Sequence, residues 1–433
     1  MVSQYWAPEN GVPQRRWTWL SELLTRKGHQ VLVIAPPPHY ARKISFKTWI
    51  GKLFNSSDSV EVGPSGEKIF RCFYLPAGHS LTMRAISQAV AALGSLLTFI
   101  SKRKEIKSFR PDVVIGTVPA LPTAVVAMLG AKSLNLPYVI DLRDAWPDLL
   151  NEVDKWNKGL GRRSFRERVL RKGPLQFISF LTAKAIDYSL NHAAALMVTS
   201  GLFAKEMRQR LVHNRAQPKP VTVLRNVFPV RSDVADETER RSVSSCCGNS
   251  KRVAGLKVLY AGTLGRAQGL ENTILAAEMA LERGVNVELR LIGAGAARPE
   301  LEDLVRKSPA DVSILDRRPA DELGALYSWA DTLLVHLSDW KGLEYAVPSK
   351  TFEFFEIGKH ITGVVRGEAA ALIKQLEAGD VVEPENPEQL ASLWCELVED
   401  PGKLEISDSA RLWLQHEREV NSPKKLYDLL ESL

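Results

Sequence analysis

Apolar positions along this chain fall into two alternating rhythms. Short continuous runs rich in Val, Ile and Leu, as in strands buried on both faces, alternate with stretches where apolar residues recur every three or four positions, as on helices. In the first half the runs lie at Met1 to Tyr5, Gln30 to Ala35, Val113 to Thr117, Tyr138 to Asp141 and Ala194 to Ser200. A helical period from Arg15 to Lys27 fills the first gap and stops at Gly28, where a glycine can take the left-handed turn that closes a helix. Strand, helix, strand in this order predicts a parallel sheet with helical crossovers. The strand opening at Met1 has only about five residues, short for a central strand.

A second series follows a break. Residues 231–256 are charged, Ser-rich and without period, which marks a linker. Beyond it, strand-like runs return at Lys257 to Ala261, Val287 to Gly293, Val312 to Leu315, Thr332 to Leu337, Ile361 to Val365 and Val381 to Glu383. The pattern predicts an α/β chain of two doubly wound, Rossmann-like domains, 1–230 and 257–415, then a terminal helix over 416–433 that can cross back to the first domain. Open parallel sheets bind ligands beyond the carboxyl ends of their strands, so two such domains facing a cleft would enclose a two-part substrate.

Composition narrows the setting. The four cysteines, Cys72, Cys246, Cys247 and Cys395, are spaced neither as a zinc knuckle nor as a disulfide framework, which fits a reducing cytoplasm. The sequence shows no signal-peptide pattern, and its apolar stretches are too short or too interrupted to span a bilayer. Residues 1–230 hold 33 basic and 15 acidic side chains, net +18, whereas the remainder holds 24 and 35, net −11. No zinc finger, RNA-binding aromatic pair or recognition helix accompanies the basic half, so the expected partner is an anionic membrane surface rather than nucleic acid, with a merely solvated face as the alternative.

Four stretches carry candidate chemistry. Between the first strand and helix lies PENGVPQRR, in which Gly11 lets backbone approach a ligand and Arg15 or Arg16 offers a forked donor to phosphate; taken alone, a plain turn is the competing reading. The run YAGTLGRAQGLE leaves the first strand of the second domain with Gly262, Gly265 and Gly269; its spacing is not the dinucleotide fingerprint, and Arg266 can neutralise a diphosphate. LIGAGA ends the next strand with Gly293 and Gly295, read either as a ligand approach or as a tight turn. VPSKTFE sets Ser349, Lys350 and Glu353 at a helix start, where a diphosphate and a ribose can be held; a capping box with Ser349 as cap is the competing reading. His192 and His336 sit in apolar segments, as core histidines do, and no H-x-x-x-H pair or strand-end D-x-D suggests a metal.

Together PENGxPxRR, GxLGRAQGLE, LIGAG and PSKTFE followed by RGEAAALI resemble the retaining glycosyltransferase family four of the GT-B fold, in its branch acting on amino sugars, the fucosamine-type transferases of surface polysaccharides. The resemblance implies a nucleotide-sugar donor, leaning to UDP, and no cofactor or metal. It implies that Glu353 is the nucleotide-ribose carboxylate, the second Glu of E-x7-E, and places Glu368 with the donor residues. The first Glu is out of register: Tyr345 stands eight residues before Glu353, and Glu344 one step off. The family's diphosphate Arg and Lys fall at Thr263 and Gln268, leaving Arg266 and Lys350 as replacements. DLRDAWP resembles the branch's acceptor-side element, giving Asp144 a role in orienting or deprotonating an acceptor hydroxyl and Arg143 a role beside it; a structural Asp–Arg pair is the alternative.

Two segments suit a membrane interface. Residues 155–184 mix arginines with Leu, Phe and Ile, and Leu81 to Ile106 is apolar before SKRKEIK. If they face a bilayer, the acceptor is lipid-linked or an envelope glycan, and the enzyme is peripheral on the inner face of the cell membrane; cover helices on the first sheet are the competing reading. A nucleotide-sugar 2-epimerase of the same fold and a non-catalytic nucleotide-sugar-binding protein remain as alternatives.

Overall fold

The structure, a computed structural model, describes residues 1–9, 11–38, 49, 60–76, 81–118, 120–144, 174–229 and 255–433. Trp146 and Pro147 of DLRDAWP, the basic segment as far as residue 173, the linker to residue 254, and Cys246 with Cys247 lie outside them. The chain divides into two compact units. One takes the described residues up to Asp144, those from Pro174 to Phe228, and Ser422–Leu433; the other runs from Pro229 to Asn421.

In the first unit, β1 (Leu32–Ala35) pairs with β3 (Lys68–Arg71), which pairs antiparallel with β2 (Glu61–Val62). A second ladder runs β4 (Val114–Val118), β5 (Tyr138–Leu142), β6 (Ala195–Val198) and β7 (Val221–Val223), all parallel. The expected strand at Met1 to Tyr5 shrinks to a single bridging residue, Val2, parallel to both Ile34 and Gly116, and so joins the two ladders. Glu61–Val62, Lys68–Arg71 and Val221–Val223 escaped the sequence reading because two to four residues give too little alternation to stand out.

Helix α1 (Val12–Arg26) turns Trp17, Leu20 and Leu24 inward. It ends as its sequence predicts: Gly28 takes φ +91, its N–H donates to Thr25 O, and the His29 N–H reaches back to Leu24 O, closing the orphan carbonyls. Among the described residues up to Phe228 the other helices are α2 (Leu81–Ser101), α3 (Arg103–Phe109), α4 (Pro122–Leu134), α5 (Pro174–His192) and α6 (Gly201–His213). His192 is exposed at the end of α5, its ring tilted at 31° and centred 4.0 Å from the Tyr188 ring, and is not a core residue.

The second unit is a six-stranded parallel sheet in the order β10-β9-β8-β11-β12-β13. The strands are β8 (Gly255–Thr263), β9 (Asn286–Ala294), β10 (Val312–Leu315), β11 (Thr332–His336), β12 (Ile361–Val364) and β13 (Gly379–Val382). From β8 the chain winds one way to β10 and then returns to β11 on the other side of β8, so the order reverses between β8 and β11, where parallel sheets bind ligands. Helices α7 (Glu271–Glu282), α8 (Arg298–Val305), α9 (Ala320–Trp329), α10 (Ser349–Ile357), α11 (Gly367–Gln375) and α12 (Pro387–Glu399) connect or cover the strands. α7 and α12 bury Ile274, Ala277, Leu390 and Trp394 in one cluster with Val258, Leu289 and Leu291.

α13 (Ser409–His416) sets Trp413 against Phe352 and Phe355 of α10, at 6.4 and 6.2 Å between ring centres. Arg418 grips Glu356 of α10 through two bonds of 3.0 and 2.6 Å. After a π-turn over Glu417–Asn421 the chain re-enters the first unit as α14 (Ser422–Glu431), where Tyr427 donates to Leu23 O at 2.9 Å and Lys27 lies over its ring. Among the described residues no helix is long and apolar enough to cross a membrane.

Candidate functional site

In the second unit the strand-end loops lock one another. After β8 the chain makes a 3-10 turn, Arg266–Gln268, and Gly269 follows at φ +57. Ser338, just past β11, pins that turn: its N–H donates to Ala267 O at 2.9 Å and its hydroxyl to Arg266 O at 3.0 Å. The β9 loop is tied to the same place, since the Leu264 N–H donates to Ala294 O and the Ala297 N–H to Leu264 O. Gly293 has φ +155, and a Cβ there would stand 1.8 Å from Gly262 O. At Gly293, therefore, β8 and β9 come together at a point where only hydrogen fits. Gly262 is half-buried, and a Cβ on it would meet the Tyr260 hydroxyl at 2.8 Å.

α10 leaves the end of β11 through a 3-10 turn, Lys341–Tyr345. The residue capping it is Pro348, and no side-chain cap bond is made, so the capping box on Ser349 is not formed; Ser349 is instead the first helical residue. One turn on, the carboxylate of Glu353 accepts from the Tyr327 hydroxyl at 2.6 Å and from Lys350 Nζ at 2.8 Å, and Lys350 also donates to the Tyr327 oxygen at 2.8 Å. Tyr327, on α9, is fully buried and packs edge-on to Phe354. Glu353 is thus held at the helix start in one orientation, with Lys350 beside it. Tyr327 was not found from sequence; it lies 26 residues upstream and nothing local marks it.

The turn carrying the displaced Glu344 and the start of α11, which carries Glu368, meet at one corner. Gly367, at φ +65, lies so close to Glu344 O that a Cβ would fall 2.1 Å from it, and Glu368 is buried in the first turn of α11. Arg366 joins Asp339 after β11 to Glu383 after β13 and fixes this loop. His336, at the end of β11, accepts from Asn272 through Nε2 at 3.2 Å; burial pushes its imidazole down to about 3, against the opposing Gln268 carbonyl. It is therefore neutral and structural, as expected of a core histidine.

The candidates of the first unit collect at the carboxyl end of β5 and the start of α1. Arg16 is no phosphate ligand. It is completely buried and paired with Asp141, also completely buried, at 2.9 Å, and donates further to Leu224 O and Asn226. Asp141 also accepts from Trp17 Nε1 at 2.8 Å and the Thr117 hydroxyl at 3.0 Å. This buried Asp–Arg pair joins two motifs, Asp141 of DLRDAWP and Arg16 of PENGVPQRR, 125 residues apart, and is distinct from the Arg143–Asp144 pair weighed from the sequence. Arg15 turns elsewhere, over the Phe228 ring at 4.6 Å. Gly11 has φ −83, an ordinary conformation, so its place before α1 is not enforced by the backbone.

Arg143 differs from Arg16. Burial lowers its affinity for its proton, with Asp144 and Asp141 opposing, and its Nε and Nη1 are buried with no acceptor among the described residues. A guanidinium removed from water with donors unused favours an anion.

Two family models account for most of the sequence: a glycosyl transferase 4-like domain over residues 11–226 and glycosyl transferases group 1 over 255–400. A protein of Escherichia coli K12 described as putative colanic acid biosynthesis glycosyl transferase WcaI is 25% identical over 388 residues, 86% of this chain and 84% of the relative. In structure the chain is similar to Anabaena Alr3699/HepE, solved with UDP-glucose, with TM-score 0.61 at 15% identity over 100% and 98% of the two chains. It is also similar to WaaG, a glycosyltransferase involved in lipopolysaccharide biosynthesis, with TM-score 0.52 at 13% identity over 100% and 97%. With its two parallel-sheet units and these two matched domains, the chain belongs to the glycosyltransferases of the GT-B fold.

Proposed function

We propose that the chain transfers a sugar, of hexosamine type, from a UDP-linked donor to a glycan or lipid-linked acceptor in envelope polysaccharide assembly, with retention of configuration and without a divalent ion. The observation that carries the reading is the Glu353 carboxylate, aligned by Tyr327 and Lys350 one turn into α10, beside the switch point of the second sheet. There a carboxylate can accept both ribose hydroxyls, while Lys350, Arg266 and the helix start face the diphosphate. Binding a diphosphate draws Lys350 from Glu353 toward phosphate. Cationic charge at the leaving diphosphate stabilises the transition state, the part a metal plays in other transferases. The polysaccharide setting is supported by the names of the Escherichia coli relative and of WaaG, and the uridine preference by the UDP-glucose bound to the Anabaena protein.

On the acceptor side, Asp144 orients the acceptor hydroxyl. The unused N–H groups of Arg143 take an anionic group of the acceptor, such as a phosphate.

The test is a thermal-shift panel of UDP, GDP, ADP and CDP on the wild type and Glu353→Ala. A UDP-selective shift is expected. In the variant, loss of hydrogen bonds to a charged group costs about 2 kcal/mol, a roughly thirtyfold weaker affinity. No shift with any nucleotide would refute the donor site. Donor consumed without any acceptor would favour the epimerase alternative, and tight binding without turnover the non-catalytic one.

A further inference from the structure

Helix α2 turns a stripe of large apolar residues outward. Met83, Ile86, Val90, Leu93, Leu97 and Ile100 follow at alternating spacings of three and four, the repeat that lines one face of a helix. Val90 is half-buried, and the exposure of the others runs from 40% at Met83 to 71% at Ile100. The stripe extends about 25 Å along the helix.

The face that packs on the unit has the opposite character. Gly94 lies where a Cβ would stand 2.1 Å from Phe73 O, and Phe99 seats its ring against Gly130 of α4. Ser87 donates to Leu75 O at 2.6 Å, Ser95 to Ala91 O at 2.9 Å and Thr98 to Gly94 O at 2.9 Å. Hydroxyls are satisfied inside and leucines left outside, the reverse of a helix that covers a sheet and faces water. Single exposed hydrophobics are ordinary, whereas a continuous stripe marks a contact surface.

The chain beyond the stripe indicates what that contact is. Residues 102–110 carry Lys102, Arg103, Lys104, Lys107 and Arg110 against a single Glu105, and Lys104, Lys107 and Arg110 are exposed. An apolar face flanked by cations fits a surface with hydrocarbon below and anionic groups above. We infer that α2 lays this stripe into the interface of an anionic lipid leaflet, with the basic segment on the headgroups. The inference rests on the transferase reading only for its purpose, keeping the first unit where a lipid-linked acceptor resides; the binding itself needs no donor.

The full chain would be sedimented with vesicles of equal parts phosphatidylcholine and phosphatidylglycerol, and with phosphatidylcholine alone. The wild type is expected to prefer the anionic vesicles and to release with salt. Leu93→Glu/Leu97→Glu should weaken partitioning at least ~tenfold. Lys104→Glu/Lys107→Glu should weaken it by at least roughly twenty-five-fold, about fivefold per lost cation before the repulsion of the added carboxylates. Both variants alter exposed positions and should melt as the wild type does, so lost vesicle binding with unchanged melting and UDP response separates this surface from the donor site. Three results would overturn the inference: no vesicle binding by the wild type, binding undiminished in Leu93→Glu/Leu97→Glu, or a wild-type dimer in light scattering that this variant dissociates, which would make the stripe a contact between copies.

Discussion

His336 is 2% exposed, and its Nε2 is already occupied by Asn272. Free imidazole takes its proton near 6.5, whereas in the folded chain burial holds that event down to about 3. As pH falls below the first value, the unfolded chain gains a proton that the folded chain does not. The stabilisation is therefore complete at neutral pH and is lost as pH falls toward the folded value, at up to about 1.4 kcal/mol per pH unit. His336→Gln should flatten the acid limb of urea stability measured between about pH 6 and 4; an unchanged slope would place the titration in another group. His336 and His192 both sit in apolar stretches, yet one is buried beneath the β8 turn and the other capped by an exposed tyrosine. Local sequence tells neither from the other, because burial is decided by what packs across from a residue. The same limit hid Tyr327, while Glu353 and Lys350 were legible because helix spacing alone puts them one turn apart.

At the scale of elements, the glycines of the second unit separate into two kinds. Gly358 closes α10 at φ +68 with nothing near its missing side chain, so Gly358→Ala should cost about 1 kcal/mol for the left-handed backbone alone. Gly293 adds a backbone collision with Gly262 O, and Gly293→Ala should cost on the order of 3 kcal/mol, because two hydrogen-bonded strands must part to admit the methyl. Chemical unfolding of the two variants measures the difference; equal costs would remove the packing role given to Gly293. In this unit β11 and β12 were readable from continuous apolar runs, since a strand buried on both faces has no polar partner to confuse its period. The first unit was less readable at its margins. Val2 needs only one bridge on each side to complete the sheet, and Glu61–Val62 is exposed at an edge, where apolar patterning is weakest.

Over the whole molecule, charge and structure divide in nearly the same place. The net +18 lies in residues 1–230 and the −11 beyond, and the unit boundary falls at Phe228 and Pro229, apart from α14, which returns to the basic unit. Each unit closes its own parallel sheet, with β4 to β7 in one and β8 to β13 in the other, so each should unfold with its own stability. A nucleotide held, as proposed, by Glu353, Lys350 and Arg266 would engage the second unit. At a hundred times its dissociation constant it should stabilise that unit by about 2.7 kcal/mol, which slows exchange by global opening roughly a hundredfold. Hydrogen exchange with and without UDP should then show slowing in β8, β9 and α10, with the amides of β4, β5 and β6 exchanging as before. Slowing of equal size in both units would mean that they open as one, and slowing confined to β4 to β6 would move the nucleotide to the acceptor side and take the ribose from Glu353.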